Sequence, residues 1–106
     1  MPIVAFDEHS AVLRCCGDED RSTQGSRRQA MVRALLAQTN VIVDLSELAF
    51  ADSSVMLDLA VLARRLRARG REILVRGAQP QVMLLITQVG LHRLPAIRLE
   101  PSPTFA

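Results

Sequence analysis

The stretch Val41–Leu62, VIVDLSELAFADSSVMLDLAVL, decides the fold. It opens on Val41-Ile42-Val43, an unalternating apolar run of the kind found in central strands or in strands covered on both faces. It closes in an apolar helix that starts near Ser54. There Leu59, Leu62, Ala63 and Leu66 recur at intervals of three and four, and Val55 and Met56 extend the stripe. Asp44 to Ala51 reads as the loop between the two. Ser53 or Ser54 reads as the N-cap of the helix. A helix N-terminus reached from a strand presents outward N–H groups and a dipole that favours negative charge. This makes Asp52-Ser53-Ser54 the candidate functional triplet.

Upstream, Ile3–Phe6 and Ala11–Cys16 are short apolar segments separated by the turn Asp7-Glu8-His9-Ser10, the pattern of a hairpin. Gly17-Asp18-Glu19-Asp20 is expected to break the second strand. A helix follows from about Gln24 to Gln38, with Ser22, Thr23 or Ser26 as its cap. Its apolar stripe is Ala30, Met31, Ala34 and Leu35, with Arg27, Arg28 and Arg33 largely outside it. Downstream, Arg64, Arg65, Arg67 and Arg69 are expected to face water, and Gly70 stands where a left-handed cap belongs. Ile73-Leu74-Val75 is another strand and Gly77–Gln79 a turn. Pro80 suits the first position of a helix that runs through Val82, Leu85, Ile86 and Val89 to a second cap at Gly90. Ala96–Leu99 is a last strand. The order is β-β-α-β-α-β-α-β, an α/β domain with a mixed, mostly parallel sheet and right-handed crossovers. It is expected to span residues 1–100, with 101–106 as a tail.

Composition narrows the function. The 106 residues include three Phe, no Trp and no Tyr, so aromatic platforms for stacked bases are missing and nucleic acid is not the expected partner. The net charge is +2, and all 13 basic residues are Arg. Without Lys there is no Walker A loop and no Schiff-base chemistry. His9 and His92 are isolated and no Cys-x-x-Cys occurs, so no metal or other cofactor is expected. Neither His argues for a triad with Ser53, so the chain is not expected to be an enzyme. Cys15 and Cys16 are strand neighbours pointing to opposite faces, which disfavours a disulfide and fits the cytoplasm. The N-terminus does not read as a signal peptide. The apolar run Val55–Ala63 is too short for membrane insertion. His92 is expected on the surface.

The combination strand-Asp-Leu-Ser, then an apolar residue and Asp-Ser-Ser opening an amphipathic helix, resembles the STAS domains, and among them the anti-sigma factor antagonists of bacteria. The matching residues are Val41–Ser46 and Phe50–Ser54. Gly17–Asp20 is similar to the family's Gly-Glu-x-Asp turn, and Arg69-Gly70, Gly77, Pro80 and Gly90-Leu91 match its later elements. The resemblance implies that Ser53 is a phosphorylation site, with Ser54 as the alternative. It implies a partner, an anti-sigma factor that is also a serine kinase. That partner binds the unmodified form and releases a sigma factor, and the phosphate ends the binding. The implied contact surface is Asp20, Ser22, Thr23, Asp52, Ser53, Ser54, Val55 and Met56, on a monomer or weak homodimer. Val55 stands where the family has Gly, so its β-branched side chain is expected to hinder close approach. The alternative is a STAS subunit of another assembly, such as a lipid-transport ABC system, working without phosphorylation.

Overall fold

The structure, a computed structural model, describes residues 4–100. Ile3 and the tail expected from residue 101 lie outside that range. Five strands form one sheet: β1 (Val4–Asp7), β2 (Val12–Glu19), β3 (Val41–Ala51), β4 (Ile73–Arg76) and β5 (Ile97–Leu99). Their spatial order follows the chain. β1 pairs antiparallel with β2, and the other pairs are parallel. Between them lie α1 (Gln24–Leu35), α2 (Ser53–Arg67) and α3 (Pro80–Val89). α1 packs on α2 and α2 on α3, so the three share one face of the sheet.

The register explains the core. Phe6, Leu13, Val43 and Val75 stand in one row across the sheet, and Val41, Ile73 and Ile97 in another, all buried beneath the helices. The opposite face carries a row of charges instead. Arg14, Asp44 and Arg76 are register partners, and Asp44 Oδ2 lies 3.8 Å from Arg14 Nε and 3.4 Å from Arg76 Nη2. Burial opposes ionisation of Asp44. Hydrogen bonds from the Ser46 hydroxyl and amide and from Arg76 outweigh it and hold the carboxyl below its usual range. Cys15 is buried and Cys16 lies on the other face, its thiol donating to Glu47, and both are free. Burial pushes the Cys15 thiol up to about 12.

Two strands are longer than their sequences suggest. β2 runs through Gly17 and Asp18 to Glu19, where a break was expected. β3 runs through Asp44–Ala51, where a loop was expected. Two register shifts along the β2–β3 pair absorb the irregularity, each leaving one extra residue on β3, and Gly17 takes φ +69° beside the second. β2 and β3 continue together beyond the end of β4. The freed carbonyls on the other edge of β3 are met by side chains: Gln79 Nε2 donates to Ser46 O at 2.9 Å and Gln81 Nε2 to Ala49 O at 2.8 Å. Gly77 lets this turn approach, since a Cβ there would lie 2.9 Å from that of Ser46.

The glycine and proline signals at the helix ends behave as expected. Gly70 has φ +74°, and Arg71 N reaches back to Leu66 O at 2.9 Å, closing α2. Pro80 opens α3 and Gly90 closes it with φ +79°. α1 is shorter than expected, ending at Leu35. His92, expected on the surface, is half-buried, and its Nδ1 has no partner among the described residues.

Candidate functional site

The extension of β2 and β3 brings two acidic turns together. Glu19 and Ala51 are register partners at the strand ends, so Asp20 and Asp52 leave the sheet side by side. Asp52 N donates to Glu19 O at 3.2 Å, and Arg21 N donates to Asp52 Oδ2 at 3.2 Å.

The two aspartates use one device. Asp20 Oδ1 accepts from Ser22 N at 2.8 Å and from the Ser22 hydroxyl. Asp52 Oδ1 accepts from Ser54 N at 2.9 Å and from the Ser54 hydroxyl. Asp52 is therefore the N-cap of α2, not Ser53 or Ser54, and Ser53 is the first helical residue. Thr23 completes a capping box, its hydroxyl accepting from Asp20 N at 3.1 Å. The serine hydroxyls, with the backbone amides, hold both carboxyls below the ordinary range.

That direction fixes the acid behaviour. A carboxyl whose folded value is depressed lends stability above its ordinary value of 3.8, and the contribution is lost as pH falls from there through the lower folded value. We predict that the amide resonances of Ser22 and Ser54 titrate together with their aspartates, with midpoints below 3.8. Midpoints at or above that value would mean the caps are open in solution.

Beneath the two turns lies a residue that the sequence reading placed outside the apolar stripe. Arg27 is 0% exposed. Its Nη1 donates to Glu19 Oε1 at 2.7 Å and to Asp20 O at 3.2 Å. Its Nε donates to Asp58 Oδ2 at 2.9 Å, and its Nη2 to Ser54 Oγ at 3.2 Å. One guanidinium thus ties the end of β2, the turn after it and the first turns of α2. Burial alone would lower its pKa, but hydrogen bonds to Glu19 and Asp58 reverse the direction and keep it charged. A signal for this was present: Arg27, Ala30, Met31 and Ala34 are spaced as one helix face.

The eight residues expected to form a contact surface divide in two. Asp20, Ser22, Thr23, Asp52 and Ser53 reach solvent, and Ser22 and Ser53 are well exposed. Ser54, Val55 and Met56 are buried. Val55 is part of the core, so its branch does not project toward an approaching molecule, contrary to expectation. Ser54 has its hydroxyl engaged by Asp52 and Arg27, whereas Ser53 leaves its side chain in water. Beside Ser53 a groove of about 260 Å³ runs between α2 and α3. Leu57, Ala60, Val89 and Leu91 line it, and Leu57 is 65% exposed. Among the described residues no His, Cys, Asp and Glu cluster is placed to hold a metal ion, and no helix is long and apolar enough to cross a membrane.

A family model described as "Mlab, STAS domain" matches residues 3–99. No curated protein matches the chain. Among the solved structures that share the fold are two antagonists or assigned antagonists of anti-sigma factors. One is the anti-sigma factor antagonist SpoIIAA in its unphosphorylated form, with a TM-score of 0.65 and 22% identity, over 87% of this chain and 79% of that one. The other is a provisionally assigned anti-sigma factor antagonist, tm1081 from Thermotoga maritima, with a TM-score of 0.71 and 11% identity, over 93% of this chain and 86% of that one.

Proposed function

The chain belongs to the STAS-domain family, and from that we propose that it is an anti-sigma factor antagonist switched at Ser53. The unmodified protein binds an anti-sigma factor with serine kinase activity in the cytoplasm and frees a sigma factor. The kinase is the partner, and this chain catalyses nothing. The observation that carries the reading is the contrast between adjacent hydroxyls. Ser53 is exposed on the first residue of α2, while Ser54 is buried and doubly hydrogen-bonded. A kinase can reach the first without disturbing the fold.

Phosphate adds about −1.5 to −2 charges at neutral pH. Of the amides at the helix start, that of Ser54 is already taken, bound by Asp52. The phosphate therefore stands toward solvent beside an apolar groove, next to Asp52 and close to Asp20. Its hydration keeps water at the mouth of the groove and so disfavours an apolar partner surface, and its charge repels an acidic one. The switch is electrostatic and local.

The test is a pull-down from native cell extract with mass spectrometry of the partner and of Ser53. It is followed by affinity measurements on Ser53→Ala and Ser53→Asp. The expected order is parent about equal to Ser53→Ala, with Ser53→Asp weaker by roughly tenfold, since one carboxylate supplies less charge than a phosphate. Equal affinity for all three, with no phosphate on Ser53 or Ser54, refutes the switch. It would leave the second reading, a STAS subunit of another assembly such as a lipid-transport ABC system. The description of the matching family model as Mlab is the observation that favours that alternative.

A further inference from the structure

α2 has two flanks. One faces α3 and carries Ser53; the other faces α1. Along the second runs a groove of about 320 Å³. It is lined by positions 28, 31, 32 and 35 of α1 and 58, 61, 62 and 65 of α2, the same spacing on both helices. Its middle is apolar: Met31, Val32 and Leu35 face Val61 and Leu62. Val32 is 56% and Val61 44% exposed, although both are large and apolar. Asp58 also lines the groove, but its carboxylate is held by Arg27 and Gln24.

The charges at the groove are arranged along its length. α1 and α2 each return the chain to a parallel strand, so the two helices run in the same direction. Arg28 lies near the start of α1 and Arg65 in the last turn of α2, so they mark opposite ends. The four positions on each helix span two turns, roughly 10 Å along the axis. Both arginines are exposed, and neither has an ion-pair partner among the described residues.

We propose that this groove docks an amphipathic helix of a partner protein. That helix carries an acidic residue at each end of an apolar pair: acid at i, apolar at i+3 and i+4, acid at i+7. Two parallel helices form a trough of the shape that a third helix fills, with its apolar face inward. The unpaired guanidinium groups, about two turns apart, then select carboxylates of matching spacing and set the register. A second copy of this chain does not supply such a helix. α1 and α3 contain no acid, and the one acid of α2, Asp58, is engaged by Arg27. The inference does not depend on phosphorylation of Ser53, which lies on the other flank.

The probe is a fluorescein-labelled helical peptide repeating the heptad Glu-Ala-Gln-Leu-Leu-Ala-Gln and ending on Glu, with a twin in which Lys replaces each Glu. Binding is read by anisotropy, and its location by methyl NMR shifts of Val32, Leu35, Val61 and Leu62. The acidic peptide is expected to saturate with shifts confined to those methyls, and the Lys twin to bind at least about tenfold more weakly. The double variant Arg28→Glu/Arg65→Glu, changed only at exposed positions, is expected to reverse that preference. The proposal is overturned if the acidic peptide does not saturate, if both peptides bind equally, or if the shifts map to the α2–α3 flank. It is overturned in favour of self-association if the groove methyls shift with protein concentration alone. It is overturned in favour of a small amphiphile if decanoate shifts them and the peptide does not.

Discussion

Replacing Arg27 by Ala is expected to cost about 3–5 kcal/mol, because it leaves buried carboxylates without their counter-charge. Glu19 is 1% exposed and accepts from Arg27 at 2.7 Å, so the loss strands a charge that water cannot reach. The strand end can then open to hydrate that charge, which releases the turn that carries Asp20. The same substitution removes the donor to Ser54 Oγ, one of the contacts that fix the first turn of α2. Against a total stability of roughly 5–15 kcal/mol for a domain, the loss is large. Arg27→Lys keeps the charge but not the planar fork, and one ammonium does not serve Glu19, Asp58 and Ser54 together. It is expected to recover only part of the loss. Urea denaturation followed by circular dichroism measures both variants, and the Arg21 and Ser54 amide resonances report on the site. If Arg27→Ala unfolds within about 0.5 kcal/mol of the parent, the network contributes no more than an ordinary surface contact.

A second large effect separates neighbouring residues of one helix. Leu59 is 0% exposed, within the core cluster that α2 builds on the sheet. Leu59→Asp places a carboxylate there without a partner and is expected to cost several kcal/mol, enough to unfold a marginal domain. Leu57, two residues earlier, lies on the α3-side groove and is mostly exposed. Leu57→Asp is expected to change stability by no more than about 0.5 kcal/mol. Thermal melts of the pair test the orientation of α2 directly. Similar melting of both variants would mean that the helix is rotated from the face assigned here. The pair also reports on function. The folded Leu57→Asp variant brings negative charge to the groove beside Ser53, and it is expected to weaken partner binding as phosphate does.

The sequence by itself determined the element order, because its signals are local. Val41-Ile42-Val43 reads as a strand, the three-and-four spacing from Leu59 to Leu66 as a helix, and Gly70, Pro80 and Gly90 as helix ends. Each of these follows from backbone preference or from periodicity within one segment. The position of Asp-Ser-Ser between strand and helix was legible for the same reason. Which of its residues caps the helix was not. Asp, Ser and Ser are all good caps, and Asp52 takes the role because its amide is bound to Glu19 O, which holds it extended at the end of β3.

Tertiary structure decided the rest. Asp44–Ala51 mixes polar and apolar residues without the alternation of a strand and so reads as a loop, yet it is strand because β2 pairs with it and glutamines from α3 and the turn before it satisfy its other edge. Arg27 reads as a solvent-facing cation, since an unpaired guanidinium is too costly to bury. It is buried because Glu19 and Asp58, eight and 31 residues away in the chain, converge on it. Val55 reads as a surface obstacle only while the direction of the first turn of α2 is unknown. Each of these outcomes depends on partners distant in sequence, and the free energy of a strand edge or a buried charge is set by what meets it in space.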